Sequence, residues 1–499
     1  MRVLLIQPSD YLWPNISAMY RKHGRFKVTI GARGHSSPVT LPPLGLMYLA
    51  TPMLKTGYEV AILDAWSLQL TNGEIVEEAR LFHPDVIGIS FYSDYVRIVY
   101  ELTTLLKQAF DVPIVVGGPH PSSMSGQVLA EYNSVDCLIK GWGEFSIVRM
   151  LSWVGGKGNP EEIPGLWYRH NGTIRGSPVA QLPSNLDDIL PPSRGLLQAE
   201  YDKGIYRNIL SRRRRMDVLL TSRNCPYKCG FCYNLGGHKY YPHGIDRVLE
   251  EINEMVERGI DAIEIMDDTF TLSRKRADAI LDGIIARRYD LELRIRSRVN
   301  LIDEPLIAKC KTAGVRAISY GMESGSDAML HCMDKQTTVA QNEAACRITK
   351  RAGLLCHTTW VMGYPGETPE TMEETYHFIK KIRPSTTNIS LLAPFPDTRI
   401  YNQAKMEKTL VGDWATIGKE AAGLSSNENI RRFIYIRLEA WPDYDSLKKA
   451  IDNISLRVLF DWRYLIEIGW YFLRHPNGRF FQYVMLEIAY MLWNRFFPP

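Results

Sequence analysis

Met216-Asp217-Val218-Leu219-Leu220-Thr221-Ser222-Arg223-Asn224-Cys225-Pro226-Tyr227-Lys228-Cys229-Gly230-Phe231-Cys232-Tyr233 carries an apolar strand directly into a loop with three cysteines, spaced Cys-x3-Cys-x2-Cys. Thiolates are the ligands that iron–sulfur clusters select, and short spacings let one loop wrap a cubane. Three cysteines leave one iron of a [4Fe–4S] cluster without a protein ligand, and an open metal position is where a small molecule can coordinate. The same thiols could instead form a zinc site with a histidine such as His238 as fourth ligand. Zinc sites more often pair two Cys-x2–4-Cys knuckles, and no second knuckle follows here. The strand before the loop, the aromatic Phe231 and the α/β pattern after it favour the cluster.

Downstream, apolar strand patterns recur at Ala262–Met266, Glu292–Arg296, Ala317–Tyr320, Cys356–Met362 and Asn388–Ala393. Helical periodicity fills the gaps at Ile245–Arg258, Arg274–Ala286, Glu304–Ala313, Val339–Ala352 and Pro369–Ile382. With the strand before the cysteines this makes six β/α units, a partial (β/α)6 barrel over residues 210–400. Functional groups in such barrels sit at the carboxyl ends of the strands. The candidates there are Asp267 and Asp268, Arg298, Glu323 and Ser324, and the loop Gly363-Tyr364-Pro365-Gly366-Glu367. An acidic residue at such a place also serves as a helix cap. No helix start follows Asp267 until Ser273, which favours a functional role for it.

Upstream, residues 1–154 alternate short apolar runs with amphipathic segments. Strands are expected at Val3–Ile6, Glu59–Leu63, Val86–Ser90, Ile114–Gly117 and Cys137–Lys140, with helices near Leu44–Lys55, Gly73–Phe82, Tyr95–Phe110, Ser123–Glu131 and Glu144–Val154. That pattern predicts a parallel, flavodoxin-like doubly wound sheet, which binds ligands beyond its strands' carboxyl ends. Gln7-Pro8, Ser90, Gly117-Gly118-Pro119-His120 and Gly141-Trp142-Gly143-Glu144 fall there. No G-x-G-x-x-G follows the first strand, so a nicotinamide or flavin dinucleotide is not expected. The glycines admit close approach of a bulky ligand, or simply make tight turns.

Residues 155–209 read as a linker, with turn signals such as Asn171-Gly172 and a small hairpin around Leu166–Arg169. Arg212-Arg213-Arg214-Arg215 is a charge run, usually a solvated face. Residues 401–499 lose the β/α alternation and carry Trp441, Phe460, Trp462, Trp470, Tyr471, Phe472, Phe480, Phe481, Trp493, Phe496 and Phe497, interleaved with Arg463, Arg474, Arg479 and Arg495. They read as a helical cap on the barrel. A peripheral membrane contact or a hydrophobic-substrate wall is the alternative.

The net charge of +4 over 499 residues gives no argument for nucleic-acid binding. Eight cysteines, three of them within eight residues, are not a secreted disulfide framework and suggest a reducing, cytoplasmic compartment. The amino terminus reads as a first strand and not as a signal peptide.

Taken together, Leu41-Pro42-Pro43-Leu44-Gly45-Leu46, Gly57-Tyr58-Glu59-Val60, Val115-Val116-Gly117-Gly118-Pro119-His120-Pro121 and Gly141-Trp142-Gly143-Glu144 resemble the cobalamin-binding domain of one branch of radical S-adenosylmethionine (SAM) enzymes. The resemblance implies corrin contacts at Pro43, Leu44, Gly45, Ser90, Gly117, Gly118, His120, Gly141 and Glu144. The Asp-x-His-x-x-Gly motif that supplies a lower-face histidine in many cobalamin proteins is absent after the first strand, and His120 reads as a pocket wall ahead of a cobalt ligand.

The stretch from 210 to 400 resembles the radical SAM family. There Met266-Asp267-Asp268-Thr269-Phe270 stands where the family contacts the amino end of SAM, in place of its more familiar Gly-Gly-Glu. Tyr320-Gly321-Met322-Glu323-Ser324-Gly325 resembles the ribose and carboxylate segment. Val361-Met362-Gly363-Tyr364-Pro365-Gly366-Glu367-Thr368 resembles the adenine-contacting strand end.

The implied chemistry starts with reductive cleavage of SAM to a 5′-deoxyadenosyl radical, fed by an external one-electron reductant. Hydrogen removal from a small-molecule, hydrophobic or natural-product substrate follows. A methyl group then passes from the corrin to an unactivated carbon. Ring formation of the magnesium-protoporphyrin ester cyclase kind is the alternative, and a regulatory protein with a structural cluster is a third reading.

Overall fold

The computed structural model describes residues 1–9, 39–179, 182–208, 211, 213, 215–420, 432–462, 466 and 469. β1 (Arg2–Gln7) shows why the first sheet is covered on both faces. Leu4 and Ile6 enter one apolar cluster while Val3 and Leu5 enter another. Side chains of a strand alternate between faces, so four successive apolar residues demand a core on each side. Burying each of them stabilises by about 1.5–3 kcal/mol.

β1 pairs in parallel with β2 (Glu59–Asp64) and β3 (Val86–Ser90). β3 pairs with β4 (Ile114–Gly117), and β4 with β5 (Cys137–Ile139), so the order is β2-β1-β3-β4-β5. That is the flavodoxin-like winding, whose chain reversal lies between β1 and β3. Helices α1 (Leu44–Lys55), α2 (Asn72–Phe82) and α3 (Val96–Ala109) cover its faces. Leu46, Ala50 and Met53 of α1 pack on Val3 and Leu5, and Val96, Val99, Leu102 and Leu106 of α3 pack on the opposite side.

The hairpin expected in the linker belongs to this sheet. β6 (Leu166–His170) pairs antiparallel with β5, and β7 (Thr173–Gly176) continues it. An open edge at β5 would expose unpaired N–H and C=O groups, and the hairpin covers them. Asn171 and Gly172 turn it with φ of +49° and +77°, as a two-residue type I′ connection requires. The rest of the linker is packed too. Arg194, only 1% exposed, donates to Asp217 Oδ2 (2.5 Å) and Glu251 Oε1 (2.8 Å), bolting the segment beneath the second sheet.

That second sheet runs β8 (Met216–Leu219), β9 (Ala262–Ile265), β10 (Glu292–Ser297), β11 (Val315–Glu323), β12 (Leu355–Met362) and β13 (Thr386–Leu391), all parallel and in sequence order. Helices α4 (Ile245–Glu257), α5 (Arg274–Arg287), α6 (Glu304–Thr312), α7 (Val339–Arg351) and α8 (Pro369–Ile382) separate the strands. They form the six-unit partial barrel.

Beyond residue 400, α9 (Tyr444–Leu459) lays Leu447, Ile451, Ile454 and Val458 into the barrel's core cluster, as a cap would. Its Arg457 stacks 3.9 Å over Tyr376 and pairs with Glu373. Trp414 and Ile417 cross back to join the core of the first sheet. Trp441 is buried, whereas Phe460 and Trp462 are exposed. The aromatics from Trp470 to Phe497 and the four interleaved arginines lie outside the described residues, and with them the expected interfacial face; Arg212 and Arg214 do too. No described helix is long and apolar enough to cross a membrane.

Candidate active site

Two cavities lie at the carboxyl ends of the two sheets. The first, of 860 Å³, is lined by Cys225, Cys229 and Cys232 together with side chains from the barrel lumen. The chain reaches the cysteines through a tightly fixed lead-in. Asp267 accepts from the backbone N–H groups of Thr221 (2.6 Å) and Ser222 (3.1 Å) and from both their hydroxyls (2.5 Å each). Arg276 donates to Thr221 Oγ1 (2.9 Å) and to its carbonyl (2.6 Å). Within the loop, Asn234 Nδ2 donates to the Cys225 carbonyl (2.8 Å) and the Gly230 N–H to the Met333 carbonyl (2.9 Å). A Cβ at Gly230 would stand 2.3 Å from the Tyr364 hydroxyl, so a side chain there would have to push that ring aside.

Cations gather under the thiols. Arg298 Nη1 stands 3.7 Å from Cys229 Sγ, with its guanidinium 3.6 Å over the Tyr227 ring. Buried Lys335 is paired with Glu323 Oε1 at 2.8 Å. The hydrogen bond from Cys232, aided by the charges of Lys335 and Arg298, brings the Cys229 thiol down to about 6 against the effect of burial. Donating that bond pushes Cys232 up, and burial pushes Cys225 up. The setting thus favours the thiolate at Cys229 and offsets negative charge there.

Among the described residues, no three His, Cys, Asp or Glu side chains converge as they would around a single metal ion. A cubane takes each cysteine on a different iron, so its thiolates stand apart. His238, the fourth ligand of the zinc alternative, is hydrogen-bonded with Asn234 (3.3 Å) and does not line the cavity.

Of the residues assigned to SAM from the sequence, Asp268, Arg298 and Glu323 line this cavity. Four others do not. Asp267 is fully buried behind the wall, its carboxylate consumed by Thr221 and Ser222. Ser324 faces away: Ser319, Gly321 and Glu323 occupy the lumen side of β11, so the next residue points outward and bonds Thr375 Oγ1 at 3.1 Å. A Cβ on Gly363 would meet Leu391 and Leu447 on the helix side. The Gly363 N–H donates to buried Glu367, whose carboxyl burial pushes up to about 7, and Gly366 (φ +89°) turns that loop without lining the cavity.

The second cavity, of 590 Å³, sits beyond β1, β3, β4 and β5, where Pro43, Leu44, Gly45, Ser90, Gly117, Gly118, Gly141 and Glu144 all line it. Its walls are broad and apolar, with Leu49, Ile89, Val116, Ile139, Trp66 and Trp142. Gly118, at φ +97°, lets the chain pass under Ser90, because a Cβ would stand 2.7 Å from Ser90 Oγ. Such walls and backbone edges suit a large, flat macrocycle.

His120 is not part of that wall. It is 1% exposed within the core, its Nδ1 2.9 Å from Ser93 Oγ and its ring against Phe91 and Trp414. No histidine lines the cavity among the described residues. Burial lowers the His120 imidazole to about 3. Its neutral form therefore stabilises the fold above the unfolded value near 6.5, and that contribution drains away as the pH falls towards 3. Between pH 7 and pH 5 the loss is about 2 kcal/mol. Denaturant titrations at the two pH values should show it in the wild type and not in His120→Gln; equal losses would place the acid sensitivity elsewhere.

Barrel residues close the second cavity: Val218, Leu220, Met266, Arg223 and Arg296. Arg223 fixes the two parts together. Its Nη2 donates to Glu144 Oε1 (2.7 Å), and its guanidinium lies 4.5 Å from the Trp142 ring and 5.0 Å from Tyr48. Leu41 and Arg296 line both cavities, so the two spaces meet at these side chains.

Residues 32–150 match the B12 binding domain family, and residues 219–379 match the radical SAM superfamily. The chain is 31% identical over 410 residues to an uncharacterized methyltransferase of Pyrococcus horikoshii, covering 81% of this chain and 83% of the relative. The chain belongs to the cobalamin-dependent radical SAM family. Within that family it is also 26% identical, over 372 residues, to the anaerobic magnesium-protoporphyrin IX monomethyl ester cyclase of Rubrivivax gelatinosus, covering 72% of this chain and 66% of the cyclase. The radical S-adenosylmethionine methyltransferase TsrM of Kitasatospora setae, solved with cobalamin and a [4Fe–4S] cluster, shares the fold. Its TM-score is 0.63 at 22% identity, over 82% of this chain and 76% of that one.

The sequence reading missed Arg294, Arg296, Glu264, His357 and Lys335, all of which line the first cavity. A signal for two of them was present: Glu292-Leu293-Arg294-Ile295-Arg296-Ser297-Arg298 alternates charge with apolar residues at the period of a strand. The apolar set, Leu293 and Ile295, packs outward into the core cluster, which leaves the arginines in the lumen.

Proposed function

We propose that this chain is a methyltransferase acting at a carbon of a small-molecule substrate. In this reading a [4Fe–4S] cluster is held by Cys225, Cys229 and Cys232, SAM occupies the cysteine cavity and cobalamin the apolar one. The observation that carries the reading is the meeting of the two cavities at Leu41 and Arg296, which leaves a shared space for a substrate. Residues 1–154 are the proposed corrin-binding part, extended by the hairpin to Gly176, and 210–400 the proposed SAM barrel.

When bound, the three groups would supply one-electron cleavage of SAM, a hydrogen-abstracting radical and a methyl donor. The chain's own residues bind, orient and shield. Arg298 and Lys335 balance thiolate charge at Cys229. Asp268 and Glu323 offer carboxylates at the mouth where an amino-acid end would chelate. Arg223, clamped by Glu144, Trp142 and Tyr48, holds the corrin side against the cluster loop, so the reacting groups keep their spacing.

Anaerobic incubation of the reconstituted chain with SAM, cobalamin and reductant should release both 5′-deoxyadenosine and S-adenosylhomocysteine. The resemblance to the ester cyclase supports a second reading, radical ring formation, in which 5′-deoxyadenosine appears alone. Neither nucleoside appearing would sink both.

A further inference from the structure

We infer that the substrate carries an anionic group, a carboxylate or a phosphate, which enters the barrel lumen and is clasped by Arg294. The inference rests on the radical SAM reading for what the cavity is, and adds what the substrate must bring to it. β10 and the residue just after it set Arg294, Arg296 and Arg298 along the cavity wall. In an ordinary (β/α) barrel this lumen is packed with branched apolar side chains. Here Glu264, Ser319, His357, Thr387 and Asn388 line it instead.

The cations there are not equally partnered. Arg298 is engaged with Cys229, Tyr227 and the Lys335 carbonyl, and Lys335 with Glu323. Arg294 and Arg296 share the Glu264 carboxylate, at 3.8 Å and 3.5 Å. Glu264 also accepts from Asn208 Nδ2 (3.3 Å). Burial pushes the Glu264 carboxyl up, but the two guanidinium charges hold it below its ordinary range, so it is an anion. His357 adds no charge: burial and Arg294 bring it down to about 4. Asp268, which lines the same cavity, also acts on Arg296, whereas the carboxylate nearest Arg294 is Glu264 at 3.8 Å, beyond hydrogen-bond reach.

Arg294 is the guanidinium left short of acceptors. It is only 7% exposed, and its Nε and Nη1 donate no hydrogen bond. A buried guanidinium with unmade hydrogen bonds is costly, and a fork of N–H donors fits a carboxylate or phosphate edge. The carboxylate of SAM is not that anion. Arg294 lies four residues deeper along the strand than Arg298, which touches Cys229, a separation of about 13 Å. Arg296, between them, lines both cavities, so a substrate anchored at Arg294 extends past it towards the corrin side.

Calorimetric titration of the fully reconstituted chain, with SAM and cobalamin bound, tests this using phenyl phosphate, benzoate and neutral benzyl alcohol as probes. One or both anions should bind in preference to the alcohol, and the better of the two identifies the group. Arg294→Met should weaken that binding roughly 10- to 100-fold with cluster absorbance retained. Glu264→Gln, which removes the internal competitor, should tighten it; a misfolded variant would not. Equal binding of all three probes, or anion binding indifferent to Arg294→Met, overturns the inference. Normal nucleoside release without anion preference would sink this inference alone, whereas anion binding without nucleoside release would sink the radical reading alone.

Discussion

Replacing Cys225, Cys229 or Cys232 by alanine is expected to abolish the cluster absorbance of the reconstituted protein and reduce 5′-deoxyadenosine to the level found without protein. Each thiol lines the cavity, and the loop offers no spare ligand. The other described cysteines are elsewhere: Cys137, Cys310, Cys346 and Cys356 are buried in the cores, and Cys332 is exposed outside the cavity lining. Cys332→Ala should therefore behave as wild type and serve as the control. Because the Cys225 carbonyl and the Gly230 N–H keep their bonds to Asn234 and Met333 when a thiol is removed, the alanine variants should stay folded. Deoxyadenosine formation surviving all three substitutions would end the cluster assignment.

Asp267→Ala is expected to cost about 4 kcal/mol and lower the melting midpoint by roughly 4 °C, because four donors on Thr221 and Ser222 lose their acceptor inside the protein. The cluster loop starts at these residues, so cluster retention should fall with it. Asp268→Asn should do the reverse, weakening SAM binding while leaving the midpoint nearly unchanged, since Asp268 faces the cavity. Thermal denaturation beside SAM titration separates the two. Normal stability of Asp267→Ala with weakened SAM binding would restore the direct contact expected from the sequence.

These adjacent aspartates show how far a local pattern reaches. That an acidic pair stands at the end of the second barrel strand is legible from the apolar run before it. Which member faces the cavity depends on the hydrogen-bond donors that the first strand brings alongside, and these lie 45 and 46 residues away in the chain. His120 repeats the lesson. Its position after Gly117-Gly118 placed it at the ligand end of the sheet, but Trp414, from the far end of the chain, packs against it and encloses it in the core.

Period and spacing by themselves determined the doubly wound sheet, the six β/α units and the three-cysteine loop. The apolar alternation of a strand, the helix period and the reach of a short loop are local properties of the chain. Tertiary structure alone decided the rest. It turned the linker hairpin into two strands of the first sheet, because an open edge needs a partner. It also set Asp268 in the cavity wall and Asp267 behind it, and it brought the two cavities together at Leu41 and Arg296. Those outcomes depend on which distant groups satisfy a buried donor or charge, a balance that no single segment contains.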